Sequence, residues 1–140
     1  MVQDPRCVFC KIVTGKLPAW TVWKSDAALA FLDIGPLAAG HLLLIPRDHY
    51  VGLTDLPADT CAQIASAIPR LGKALMEVTG AAGLNLLCNH GEIAGQVVPH
   101  VHFHLIPRRS GDGLGYRWLA GKYEKGRVEQ LAADYVKALS

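Results

Sequence analysis

The chain is 140 residues long, 51% hydrophobic and 19% charged, with a net charge of +2; that excludes a disordered chain and supplies no basic field for nucleic acid. No run approaches the ~18 apolar residues of a membrane span, and the first residues lack the basic-then-apolar pattern of a signal peptide, so one globular domain over 1–140 in the cytoplasm is expected. In that compartment the four cysteines read as thiols or metal ligands before they read as disulfides.

Cys7-Val8-Phe9-Cys10 opens the fold, followed by the apolar pair Ile12-Val13 and a turn cluster over residues 14–18. Residues 20–24 and 27–32 read as two strands of a hairpin joined at Lys24-Ser25-Asp26. A loop over 33–40 leads to a buried strand, Leu42-Leu43-Leu44-Ile45, ended by Pro46. From 57 to 79 the period changes: Cys61, Ile64, Ile68, Leu71, Leu75 and Val78 form one face of a helix, kinked or broken at Pro69 and stopped by Gly80. Residues 84–88 form a short strand, and 89–95 a polar, glycine-bearing loop. An irregular stretch, 108–115, separates this core (about 7–107) from an amphipathic C-terminal helix marked by Val128, Leu131, Ala132, Tyr135 and Leu139. Five short strands and two helices predict an antiparallel α+β fold.

Between that loop and residue 107 runs Pro99-His100-Val101-His102-Phe103-His104-Leu105-Ile106-Pro107, which holds three of the chain's six histidines. In an extended strand alternate side chains share a face. His100, His102 and His104 are therefore expected on one face, with Val101, Phe103 and Leu105 packed into a core on the other. Clustered titratable groups mark sites. Cys7-x-x-Cys10 can chelate an ion from a tight turn, although a redox pair has the same spacing. Cys61, on the helix stripe, and Cys88, in a strand, read as inert core thiols.

His100-Val101-His102-Phe103-His104-Leu105-Ile106 resembles the signature of the histidine triad (HIT) family. The resemblance extends to Asn89-His90-Gly91-Glu92-Ile93-Ala94-Gly95-Gln96-Val97-Val98 before it, to Cys7-Val8-Phe9-Cys10-Lys11-Ile12 with Leu17-Pro18-Ala19, and to Phe31-Leu32-Asp33-Ile34-Gly35-Pro36 with Gly40-His41-Leu42-Leu43-Leu44-Ile45-Pro46. The blocks run in the expected order from Cys7 to Pro107, and the nearest branch is the Hint-like bacterial proteins.

The resemblance implies cleavage at the α-phosphorus of a nucleoside monophosphate conjugate, built on AMP or GMP. His102 is the nucleophile that forms a covalent nucleotidyl-histidine, and His100, His104 and His41 complete the cluster. Imidazole suits the role because its free base carries a lone pair at neutral pH, provided the other ring nitrogen is held; a backbone carbonyl near His100 is the expected partner. The implied substrate residues are Asp33 for the ribose, Asn89, Gly95, Gln96 and Val97 around phosphate and leaving group, and Phe9, Ile12, Phe31 and Ile34 for the base, with Val8 and Leu32 at its sides. Without the family, Phe9 and Phe31 read as plain core. Backbone N–H groups at Gly91 and Gly95 are expected to face the anion. Val97 departs from the family, which often has Ser or Thr there.

A structural zinc held by Cys7, Cys10, His49 and His100 is also implied, as is a homodimer, for which helix 57–79 is the candidate contact. Arg108 and Arg109 read either as positive charge beside the phosphate or as a solvated strand end. Trp118 and Tyr123 are candidates to reach the site or a partner subunit, and His90 has no role. An alternative is a zinc-stabilised nucleotide-binding or adaptor module with incidental turnover; loss of turnover on replacing His102 separates the two.

Overall fold

Two central strands are apolar at every position, and that decides the layering. The computed structural model describes residues 1–115 and 119–140, so Trp118 lies outside the described residues. Strands β1 (Thr21–Lys24), β2 (Ala28–Leu32), β3 (Leu42–Pro46), β4 (Gly83–Leu87) and β5 (Phe103–Arg108) form one antiparallel sheet in the order β1-β2-β3-β5-β4. Helix α1 (Val8–Val13) and helix α2 (Ala58–Thr79) follow the first segment and β3, and α3 (Arg127–Leu139) closes the chain.

Side-chain alternation sends Ala28, Ala30, Leu42, Leu44 and Leu105 to one core with Ile64, Ala67, Leu71 and Leu75 of α2. It sends Leu29, Phe31, Leu43 and Ile45 to a second core with Cys7, Phe9 and Cys10. A sheet covered on both faces has no need of polar positions in its middle strands. Each fully buried aliphatic side chain there contributes about 1.5–3 kcal/mol.

Helix α2 runs unbroken through Pro69, which lies on its exposed side. The expected break is absent: proline removes one backbone bond of the solvent-facing turn and leaves the packed stripe whole. Gly80, at φ 68, ends it as expected. Its buried face is Ile64-Ala67-Leu71-Leu75, whereas Val78, expected on that stripe, is 85% exposed. Gly40 admits no side chain: at φ 96, a Cβ would sit 2.4 Å from Thr79 Cγ2 at the end of α2. That close crossing delivers the chain into β3 with His41 buried.

Three further expectations change. The Cys-x-x-Cys segment is helical, with Cys7 as N-cap and its Sγ accepting from Cys10 N at 3.5 Å. β5 begins at Phe103, so His100 and His102 precede the ladder; Val101 N–H is taken by Tyr50 O at 2.7 Å instead. Cys61 and Cys88 are half-buried rather than in the core, and burial raises the Cys88 thiol. Helix α3 forms where expected but buries none of its side chains in this chain. No helix among the described residues is long and apolar enough to cross a membrane.

Candidate active site and metal cluster

Hydrogen-bond partners fix the tautomer of each histidine in turn. His100 Nε2 lies 2.9 Å from Pro46 O, and a carbonyl only accepts, so Nε2 carries the proton and Nδ1 a lone pair. His102 Nδ1 donates to His100 O at 2.7 Å, which leaves His102 Nε2 bare. Leu37 N–H donates to His41 Nδ1 at 3.1 Å, so His41 carries its proton on Nε2 and donates it to His104 Nδ1 at 2.9 Å. His104 then presents Nε2–H. Burial, with His102 and His41 adding to it, lowers His104 to about 4. Burial also lowers His41, against the pull of Asp33, whose carboxylate is 3.7 Å away. Both rings are therefore neutral at pH 7.

Two of these rings, His102 and His104, border a cavity of about 530 Å³, while His41 and His100 stand behind them. It gathers Phe9, Ile12, Phe31 and Ile34 with Asp33, and Asn89, Gly95 and Val97 with His102 and His104. Val8 and Leu32 also line it, as do Pro18, Ala19 and Val98, which the sequence did not single out. Phe9 and Phe31 are both core and cavity wall: their rings meet edge-on at 5.6 Å, and Phe9 stands 5.2 Å from the His102 ring. Asp33 is held by Gly35 N–H on Oδ1 at 2.8 Å. No lysine or arginine among the described residues lines the cavity.

The glycine loop differs from expectation in detail. Gln96 is buried, its Nε2 donating to Val51 O at 2.6 Å and Val98 O at 3.0 Å, while Oε1 accepts from Gly91 N at 2.9 Å. Gly95 N–H donates to Glu92 O at 2.9 Å. The N–H groups of Gly91 and Gly95 are thus turned into the loop, because a side chain and a 3-10 turn take them. Gln96 shapes the loop from behind, and Asn89 Nδ2 ties to Gly95 O at 3.4 Å. His90 acquires a position: its Nδ1 accepts from Leu53 N–H at 2.9 Å, and its ring packs on Gly52, where a Cβ would come within 2.3 Å. No sequence pattern signals that contact. Arg108 is bound by Asp112, Asn85 and Leu114 O, and Arg109 caps α2 through Thr79 O, so both point away from a phosphate role.

Behind His102 stands a second cluster. Cys7, Cys10, His49 and His100 bring one ligand atom each to within 4.8 Å of one another. Cys7 Sγ to His100 Nδ1 is 3.5 Å, Cys10 Sγ to His49 Nδ1 3.3 Å, Cys10 Sγ to His100 Nδ1 3.6 Å, and the two Nδ1 atoms are 3.3 Å apart. A tetrahedron with metal–sulfur bonds near 2.3 Å and metal–nitrogen bonds near 2.05 Å has edges of about 3.3–3.8 Å. The donor set fits that figure, with the His100 lone pair aimed inward and Asp4 N–H donating to Cys10 Sγ at 3.5 Å as outer support. Asp33, His41 and His104 also converge. They suit a metal less, because the proton on His41 Nε2 lies between the rings and cannot move to Nδ1 without facing Leu37 N–H.

The HIT domain family model matches residues 14–111. The chain is 42% identical over 129 residues to the adenosine 5'-monophosphoramidase hnt1 of Schizosaccharomyces pombe, covering 91% of this chain and 94% of that protein. It superposes on the crystal structure of a Streptococcus mutans protein with TM-score 0.94 at 37% identity, covering 99% of this chain and 88% of that one. A zinc-bound histidine triad protein of Mycobacterium smegmatis superposes with TM-score 0.75 at 39% identity, covering 96% and 98%.

Proposed function

The chain belongs to the HIT domain family, and from that premise we propose that it is a nucleotide hydrolase or nucleotidyl transferase working through His102. The relative named as an adenosine phosphoramidase supports a purine nucleoside phosphoramidate as substrate. The observation that carries the reading is the His102 ring: its Nδ1–H is pinned 2.7 Å from His100 O, and its free Nε2 belongs to a ring lining the cavity. A neutral imidazole fixed in the reactive tautomer is a ready nucleophile.

The base rests between Phe9, Phe31, Ile12 and Ile34, and Asp33 accepts from the ribose hydroxyls. His102 Nε2 bonds to the α-phosphorus as the bond to the leaving group breaks. His104, its Nδ1 filled by His41, keeps its proton on Nε2 and donates that hydrogen bond to a phosphate oxygen, while the leaving atom departs with a proton taken from solvent. Water then attacks phosphorus and releases its proton to solvent. The P–N bond breaks, and the nucleoside monophosphate departs with His102 regenerated. His41 acts through His104 by filling its Nδ1.

Zinc is the metal this Cys₂His₂ set suits, and a closed four-ligand site is structural. Once bound it would pin Cys7 and Cys10 at the start of α1 to His100 and His49. A homodimer is part of the same reading, with α2 as the contact. The test of the chemistry is mass spectrometry of protein quenched while turning over adenosine phosphoramidate. The expected result is a nucleotidyl adduct on His102; normal turnover with no adduct there overturns the mechanism.

A further inference from the structure

A second cavity, of about 510 Å³, adjoins the first: Gly95 and Val97 line both. Its wall is carbon where Val51, Val97 and Pro99 line it, and Glu92 is the one charged residue among the described residues that lines it. No lysine, arginine or histidine among the described residues lines it. Gln96 is in the wall too, but its amide is engaged by Val51, Val98 and Gly91. Val97 exposes 88% of its surface, a high value for an aliphatic side chain between two cavities. Exposed carbon contiguous with a binding cleft marks a contact surface.

We propose that this second cavity is the leaving-group subsite, that Val97 is the ridge the leaving group crosses, and that Glu92 selects an apolar leaving group with a cationic end. The inference rests on the nucleotidyl-transfer reading of the first cavity. In-line displacement sets the leaving atom opposite His102 across phosphorus. With the nucleoside in the first cavity, the leaving group needs a second space continuous with it. A polyphosphate tail would set several negative charges beside Glu92 with no lining cation to meet them. An alkylamine body lies on Val51, Val97 and Pro99, and a terminal ammonium complements the carboxylate. Glu92 is solvent-exposed, so the selection is several-fold and screened by salt.

The test compares two adenosine 5'-phosphoramidates whose alkylamine leaving groups have equal length, one ending in an ammonium and the other in a carboxylate. Unsubstituted adenosine phosphoramidate, too short to reach the second cavity, reports the chemistry alone. At low salt the expected kcat/KM ratio, cationic over anionic, is roughly fivefold. Glu92→Gln brings it towards one, Glu92→Lys inverts it, and added salt erodes it in the parent, a measurement that needs no variant. Equal kcat/KM for the two tails, or a ratio unmoved by Glu92→Gln, overturns the subsite while turnover of the unsubstituted substrate leaves the His102 reading standing. Failure to turn over any of the three overturns that reading and the subsite with it.

Discussion

His100 and His104 stand four residues apart on one segment, yet their surroundings ask different things of them. His100 is fully buried, donates from Nε2 to Pro46 O, and turns its Nδ1 lone pair to two sulfurs and a second imidazole. His104 is half-buried, receives on Nδ1 from His41, and presents Nε2–H beside an open cavity. Between them, His102 takes its tautomer from the His100 carbonyl. Residue type and spacing are shared; what differs is the atom each ring has left over. One end of the ladder therefore offers a closed cage of lone pairs, and the other an accessible proton.

The comparison breaks most visibly at the middle ring. His102→Ala is expected to lower kcat/KM on adenosine phosphoramidate by at least about 10³-fold while the thermal midpoint and any bound metal stay as in the parent. Cys10→Ser should do the reverse: metal is lost by elemental analysis, unfolding free energy falls by about 3 kcal/mol or more, and the protein that remains folded keeps its kcat. A Cys10→Ser protein that melts normally but has lost turnover would show that the two ends are not separable.

Smaller effects sharpen the cavity end. Asp33→Asn keeps the shape of the side chain and removes its charge. It is expected to raise KM about tenfold with little change in kcat and to narrow the preference for ribose over deoxyribose, both read from steady-state kinetics. The smallest effect is on pH. His104 titrates near 4 when folded and near its ordinary 6.5 when unfolded, so between those values the unfolded chain binds the extra proton. Stability is complete above pH 6.5 and falls as pH drops through that window towards 4. Denaturant unfolding at stepped pH should show a shallower slope there for His104→Asn; an unchanged slope would mean the ring is not held neutral by its burial beside His102 and His41 against the opposing pull of Asp33.

Legibility varied with how local the determining physics is. β2, β3 and α2 were readable because a continuous apolar run and a 3.6 period each report burial directly. Helix α1 was not, since six residues carry too little periodicity to show. α2 and α3 have equally clear apolar stripes, yet one buries Leu71 and Leu75 and the other buries nothing in this chain. A stripe says that a face is apolar and is silent about what covers it. The hydrogen bonds of Gln96 and the two arginines were hidden for a related reason. Their partners, Val51 and Val98 for one, Asp112 and Thr79 O for the others, are set by folding rather than by neighbours in sequence.

What the sequence determined by itself was the set of chemical groups and their spacing: three imidazoles in alternation, two thiols three residues apart, apolar strands between them. Only the tertiary structure decided which nitrogen of each ring is free. A tautomer depends on a donor or acceptor within hydrogen-bond distance, and Pro46 O for His100 and Leu37 N–H for His41 are brought there by β3 and its preceding loop. The chain enters β3 through a close crossing that Gly40 permits against Thr79, with His41 just before that strand and Pro46 at its end.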